Sequence, residues 1–187
     1  KGQITLKVSS QEDVLGEKNY DIQILAFDEW NGNVSIPEII AAFIIPNSPV
    51  INAILKQSAQ YMEQWTKNSA LNAYQDHDPN RVQQQMAAIY QSISDLAIDY
   101  VTVPASFETR GQKVRLPEDI ERYKIGNCLD LTLLYTSALE AAGLNPIVIF
   151  VEGHAFSGCW LIDESFPEGA FADCSLLSKR VADGISE

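Results

Sequence analysis

Cysteine, positive charge and long apolar runs are all scarce in this 187-residue chain. The three cysteines, Cys128, Cys159 and Cys174, are an odd number at no metal-ligand spacing. This pattern indicates neither a disulfide framework nor a zinc site, and it fits a reducing, cytoplasmic compartment best. No run approaches the about 18 apolar residues of a membrane span, so we expect no membrane partner.

Basic residues number 13 against 25 acidic ones, which gives a formal net charge of −12 at pH 7. Because binding to phosphates requires clustered Lys and Arg, this balance argues against a nucleic-acid partner. The densest basic group, Arg110, Lys113 and Arg115, is short. We interpret it as a solvated turn rather than a phosphate site.

The remaining composition, 46% apolar and 20% charged, is that of an ordinary globular protein. The length is sufficient for one compact domain with a real core, or for such a domain plus a small appendage. The chain begins Lys-Gly without a signal-peptide pattern, and its end, Gly184-Ile-Ser-Glu187, is typical of a strand that is beginning. We therefore expect a piece of a larger polypeptide, with truncation at the C-terminus as one interpretation of that end.

The first 34 residues favour strands. Residues 3–9 alternate apolar and polar side chains, residues 20–28 do so more loosely, and residues 29–33 supply a turn. We interpret residues 1–34 as a β-rich N-terminal segment, either a hairpin or the tail of an upstream β-domain. Residues 35–187 then form the main domain.

Helical patterns fill the first half of the main domain. A short helix is predicted from Ser35 to Pro46, a longer one from Ser48 to about Lys67, and another from Asp78 to about Leu96. Their apolar stripes, which we interpret as core, are Ile51, Ile54, Leu55, Tyr61, Met62 and Trp65 in one helix, and Val82, Met86, Ile89, Tyr90 and Ile93 in the next.

The stretch from Gly126 to Trp160 contains the candidate catalytic residues. A helix is predicted over 128–142, with Leu129, Leu133, Leu134 and Leu139 as its buried side and Gly143 as its stop. Cys128 thus opens a helix, where unpaired N–H groups and the helix dipole favour a thiolate. Asp130 in the first turn works against that thiolate unless a cation outweighs it. The alternative for Cys128 is a small buried hydrophobe.

A histidine follows on a predicted strand, His154 to Ile162, after an apolar strand over Ile147–Val151. Gly153 and Ala155 leave room around the His154 ring. A thiol at a helix start with an imidazole delivered by an adjacent strand is how a Cys-His nucleophile is built. A satisfied core histidine is the alternative. His77 is interpreted as a polar loop residue.

These residues carry a family resemblance. Gly126-x-Cys128-x-Asp130-Leu, a helix, Ala142-Gly-Leu-x-Pro146, a strand and Gly153-His-Ala-Phe156 resemble the core of the transglutaminase-like superfamily of papain-related cysteine enzymes. The match covers about residues 115–162. The preceding part, including Ala105-Ser-Phe-Glu and Gly111-Gln-Lys-Val-Arg115, is similar to transglutaminase-like modules of large bacterial proteins.

The resemblance implies an α+β fold with a papain/transglutaminase-like core, in which the nucleophile helix packs on an antiparallel sheet. It implies a thioester on Cys128, with His154 as general base and then acid, and a protein or peptide amide as substrate, without metal or organic cofactor. Water as acceptor makes the enzyme a protease or amidase, and a lysine amine makes it a transglutaminase. The Cys128 N–H is one expected oxyanion donor, and Gln112 is a candidate for the second.

The acid of the triad stays open. Asp173 lies 19 positions after the histidine and reads equally well as a helix N-cap. Asp163 and a residue beyond Glu187 are the other candidates. A catalytically inactive interaction or regulatory module with the same fold is the rival prediction for the whole chain.

Overall fold

The computed structural model describes residues 2–11, 13–22, 24–32, 36–102 and 111–163. These residues form a mixed α+β structure, which confirms the predicted class at that level. The helices are α1 (Pro49–Thr66), α2 (Pro79–Ser94), α3 (Pro117–Tyr123) and α4 (Cys128–Ala141), with short 3₁₀ helices at Pro37–Phe43 and Ala73–Asp76. The strands are β1 (Gly2–Ser10), β2 (Asp13–Ile22), β3 (Glu29–Trp30), β4 (Asp99–Tyr100), β5 (Gln112–Lys113), β6 (Ile125–Gly126), β7 (Pro146–Val151) and β8 (His154–Cys159).

The starts of the long helices follow from their capping residues. The Ser48 hydroxyl accepts a bond from the Val50 N–H at 3.2 Å, and the Asp78 carboxylate accepts one from the Asn80 N–H at 2.9 Å. In both helices proline follows the cap, where its missing N–H costs nothing. Both predicted starts are confirmed. The first short helix begins at Pro37 without a side-chain cap, and its predicted cap, Ser35, lies outside the described residues.

Strands β1 and β2 form an antiparallel hairpin with Gly2 opposite Ile22, so the hairpin alternative is confirmed for this part. Strand β3 is not part of this hairpin. It pairs with β5, with Trp30 opposite Gln112. Trp30 is fully buried in the main body. The division at residue 34 stays a prediction, since part of the N-terminal segment packs into the domain that follows it.

Helix α4 lies at the centre of the body, and nine of its fourteen residues are buried. One side, through Leu134, Ala138 and Leu139, joins the core that α1 and α2 form. The other side, through Leu129 and Leu133, packs with Trp30 and its neighbours. The four leucines predicted as the buried side are all buried, and Gly143 ends the helix with a φ of 75°.

The hairpin of β7 and β8 covers α4 next to these cores. Its register runs from Pro146 opposite Cys159 to Val151 opposite His154. The Phe150 ring stacks on Trp30 with centroids 5.2 Å apart. This pairing fixes the end of the hairpin that carries the histidine against the body.

Two residues predicted as core are exposed instead. Trp65 is 48% exposed because it lies in the last turn of α1, beyond the packed part of the stripe. Tyr90 is 67% exposed, and it faces a pocket that is described below. The helix that Asp173 is predicted to cap lies outside the described residues. Within the described ranges, no helix is both long enough and apolar enough to span a bilayer.

Truncation of Leu133 should show how far stability depends on α4. The side chain is 2% exposed, so Leu133→Ala should lower the free energy of unfolding by about 2–5 kcal/mol through lost burial and a cavity. Glu140→Ala, at an exposed position of the same helix, is the matched control and should change it by less than about 0.5 kcal/mol. Urea denaturation measures both. Equal effects would contradict the central position of α4.

Candidate active site

Cys128 is the first residue of α4, and a reciprocal cap fixes the turn before it. The Asn127 side chain accepts a bond from the Asp130 N–H at 3.0 Å, and the Asp130 carboxylate accepts one from the Asn127 N–H at 3.0 Å. The predicted start of the helix at Cys128 is thus confirmed. The sulfur sits at the positive end of a fourteen-residue helix, where the dipole favours negative charge.

The charge of Asp130 is compensated locally. The carboxylate is fully buried, and it accepts bonds from the Arg115 guanidinium and from the Arg115 N–H, each at 2.8 Å. The interpretation of Arg115 as a solvated turn residue is wrong, because its side chain is 28% exposed and ion-paired. Because the Arg115 guanidinium compensates the charge of Asp130, this carboxylate does not place an unpaired negative charge near Cys128.

A short parallel strand pair brings Tyr100 to the start of α4. Tyr100 lies opposite Gly126, and the Val101 N–H bonds to the Gly126 carbonyl at 2.9 Å. The Tyr100 side chain lines the same pocket as Cys128. Loss of solvation raises the pKa of Tyr100, and a negative charge on Cys128 raises it further. Tyr100 is therefore a neutral O–H donor near pH 7 in the pocket that Cys128 lines.

His154 begins β8 directly after the turn at Glu152-Gly153. Gly153 has a φ of 70°, a left-handed conformation that a glycine adopts without strain. The His154 side chain is exposed, and its ring stacks on Phe156 with centroids 6.4 Å apart. Among the described residues, no carboxylate is ion-paired with this ring.

Hydroxyl groups fix the position of α4 along β8. The Thr132 hydroxyl donates to the Ala155 carbonyl at 3.0 Å, and the Ser157 hydroxyl donates to the Thr132 carbonyl at 3.0 Å. One turn further on, the Thr136 and Ser157 hydroxyls are 2.7 Å apart. Cys128 lies one helical turn before Thr132, and His154 lies one residue before Ala155. The same bonds therefore bring the thiol and the imidazole to one end of the interface.

Cys128 and His154 line one pocket of about 500 Å³. Its other described lining residues come from the end of α2, from the segment that leads to β4, from α4 and from β8. They are Tyr90, Ile93, Ser94, Ala97, Ile98, Tyr100, Leu131, Thr132, Tyr135, Ala155, Phe156 and Ser157. A nucleophile candidate and a base candidate thus open into a cavity of the size of a ligand site.

Gln112 and Asp163, the other site candidates within the described residues, lie apart from this pocket. Gln112 is buried beside Trp30 in the β3–β5 pair and is not among the described residues that line the pocket, so its role as an oxyanion donor stays a prediction. Asp163 accepts a bond from the Asn145 side chain at 3.1 Å. Asn145 lies next to the Pro146–Cys159 end of the hairpin, about 17 Å along β8 from His154 at about 3.4 Å per residue. Asp173 lies outside the described residues.

Two pocket residues were missed. Tyr90 has the helical spacing of a buried apolar stripe, but it is exposed because it lies at the edge of the packed core. The sequence around Tyr90 does not show where that edge is. Tyr100 stands in a short extended segment, and only the pairing of this segment with residues 26 positions later brings Tyr100 to the start of α4. A tyrosine in an otherwise ordinary strand gives no signal of such a role.

Comparison of the chain with protein-family models, with curated proteins and with solved structures finds no match.

Removal of the buried carboxylate should destabilise the start of α4. Asp130→Ala leaves the Arg115 guanidinium and two backbone N–H groups without their acceptor, so the free energy of unfolding should fall by about 3–5 kcal/mol. The matched control, Glu63→Ala at an exposed position of α1, should change it by less than about 0.5 kcal/mol. Chemical denaturation followed by circular dichroism measures both. An Asp130→Ala protein as stable as the control would contradict this arrangement.

Proposed function

We propose that the chain is a cysteine enzyme of the papain/transglutaminase-like kind, which acts on a protein or peptide amide through a thioester on Cys128. The observation that carries the proposal is that the first residue of α4 and the first residue of β8, Cys128 and His154, line the same pocket. The α4–β8 packing supports the expected arrangement of a nucleophile helix on an antiparallel pair of strands.

In the proposed reaction His154 takes the proton of the Cys128 thiol, and the sulfur attacks the amide carbonyl carbon. The carbon–nitrogen bond then breaks, and His154 returns the proton to the leaving amine. Water that attacks the thioester releases a carboxylic acid and regenerates the thiol, whereas an amine acceptor gives a new amide. Peptidase-like hydrolysis is the leading form of the proposal, in a reducing, cytoplasmic compartment that keeps the thiol free.

Tyr100 supplies a further proposed role. The negative charge that develops on the carbonyl oxygen needs donors aimed at it. The Cys128 N–H is one, and the Tyr100 hydroxyl, which belongs to the lining of the same pocket, is better placed than Gln112 for the second. Asp173, or a residue beyond Glu187, is kept as the proposed partner that orients the His154 ring.

Alkylation of Cys128 tests the proposal against the rival, an inactive interaction or regulatory module. The iodoacetamide rate at Cys128 at neutral pH, read by peptide mass spectrometry, should fall markedly in His154→Ala, because the imidazole takes the thiol proton in the proposed site. His77→Asn, at the other histidine, is the control, and it keeps a residue that tolerates the left-handed φ of 51° at this position.

Cys159 is an internal reference in the same experiment. Burial raises the pKa of the Cys159 thiol, and a hydrogen bond with Tyr74 only partly opposes the shift, so this thiol should react slowly at neutral pH. A Cys128 thiol that stays as inert as Cys159 until the protein is unfolded would overturn the enzymatic proposal and support the module.

A substitution at Tyr100 separates the oxyanion role from simple thiol chemistry. With p-nitrophenyl acetate, Tyr100→Phe should slow acylation of Cys128 by on the order of 10²-fold, the usual loss for one oxyanion donor. The iodoacetamide rate should fall much less, because that displacement forms no oxyanion. Tyr123→Phe, at an exposed tyrosine of α3, is the control. Equal losses with both reagents would contradict the assignment.

A further inference from the structure

The pocket extends from the thiol along one side of α4. Cys128, Leu131, Thr132 and Tyr135 line it at spacings of three, four and seven residues, which places them on one helix face. Seven residues of helix span about 10 Å at 1.5 Å per residue. A group attached to the sulfur at Cys128 can therefore lie along two turns of the helix, with the Tyr135 ring at the far end.

The described lining contains no Asp, Glu, Lys or Arg, although 20% of the chain is charged. His154, beside the thiol, is its only ionisable group other than the thiol and the tyrosine hydroxyls among these residues. A charged substrate side chain that entered this space would lose water without gaining a partner of opposite charge. The walls thus disfavour charged groups of either sign.

Three hydroxyl groups of the walls are already bonded within the protein. The Tyr135 hydroxyl donates to the Met86 carbonyl at 3.0 Å. The Thr132 and Ser157 hydroxyls are engaged between α4 and β8. These side chains present their carbon surfaces to the pocket, together with Leu131 and Ile98.

An aromatic corner closes the far end. The Tyr90 and Tyr135 rings meet edge to face, with centroids 6.3 Å apart and planes at 84°. Aromatic side chains prefer this arrangement, and such a corner receives a third apolar or aromatic group favourably. Tyr90 is 67% exposed, so its ring is accessible from the pocket.

We propose that this pocket is the acyl subsite of the enzyme, and that it selects an amide whose carbonyl belongs to a leucine-like or phenylalanine-like residue. The side chain of that residue lies along α4 toward Tyr90 and Tyr135 while its carbonyl carbon meets the Cys128 sulfur. The volume of about 500 Å³ is within the range of small-ligand sites and holds such a side chain with part of its peptide. The inference rests on the proposed function, since it assigns specificity to the same thiol.

A matched set of chloromethyl ketones tests the subsite. The N-acetyl derivatives of Phe, Leu, Gly, Asp and Lys carry the same electrophile, so the rate of Cys128 alkylation at low reagent concentration reports side-chain recognition. The Phe and Leu reagents should react about 10- to 100-fold faster than the Gly reagent, as expected for filling an apolar pocket. The Asp and Lys reagents should alkylate Cys128 no faster than the Gly reagent.

Variants at the exposed rim sharpen the test. Tyr90→Ser should lower the ratio of the Phe rate to the Gly rate. Ser94→Lys, which places a cation on an exposed lining position, should raise the ratio of the Asp rate to the Phe rate. Gln84→Lys, at an exposed position of α2 that is not among the described lining residues, is the matched control and should leave both ratios as they are in the parent protein.

The possible outcomes separate the two proposals. Reaction of Cys128 that depends on His154 but is equal for all five reagents would overturn the subsite and leave the proposed function in place. A faster rate with the Asp or Lys reagent would also overturn the subsite. No reaction of Cys128 with any reagent in the folded protein would overturn the proposed function and the subsite with it.

Discussion

The site depends on the hydrogen bonds that fix α4 against β8. The Thr132 and Ser157 hydroxyls each donate to a carbonyl of the facing element, so that the helix cannot slide along the strand without losing both bonds. A slip of one residue would move Cys128 by about 1.5 Å and rotate it by about 100° around the helix axis. The hydroxyl groups of the α4–β8 interface therefore determine which residues of the two elements line the pocket together.

The charges at the start of α4 also affect Cys128. The dipole of α4 favours negative charge at Cys128, and the buried Asp130 carboxylate would oppose it if it stood alone. The Arg115 guanidinium bonds to that carboxylate and restores the local balance. Asp130 can then hold the Asn127 turn without acting as a bare charge next to the thiol. Tyr100 adds a neutral hydroxyl donor to the pocket that Cys128 lines.

Most of the local structure was predictable because its signals are local. Ser48 and Asp78 cap their helices within hydrogen-bond reach of the next turn, and Gly143 ends α4 where its positive φ is needed. Arg115, Tyr90 and Tyr100 were not predictable in the same way. The environment of each depends on a contact with a residue at least 15 positions away or on a place at the edge of the core. Strand-like and helix-like periodicities in the sequence, of two and 3.6 residues, do not predict such contacts.

A bifunctional alkylator tests the central claim, that the Cys128 sulfur and the His154 ring meet in the folded protein. The three-carbon reagent 1,3-dibromoacetone first alkylates a thiol and then links it to a nucleophile within its short reach. Peptide mass spectrometry of the native protein should find Cys128 joined to a ring nitrogen of His154. Cys128 alkylated without a link, or joined to another residue, would contradict the account.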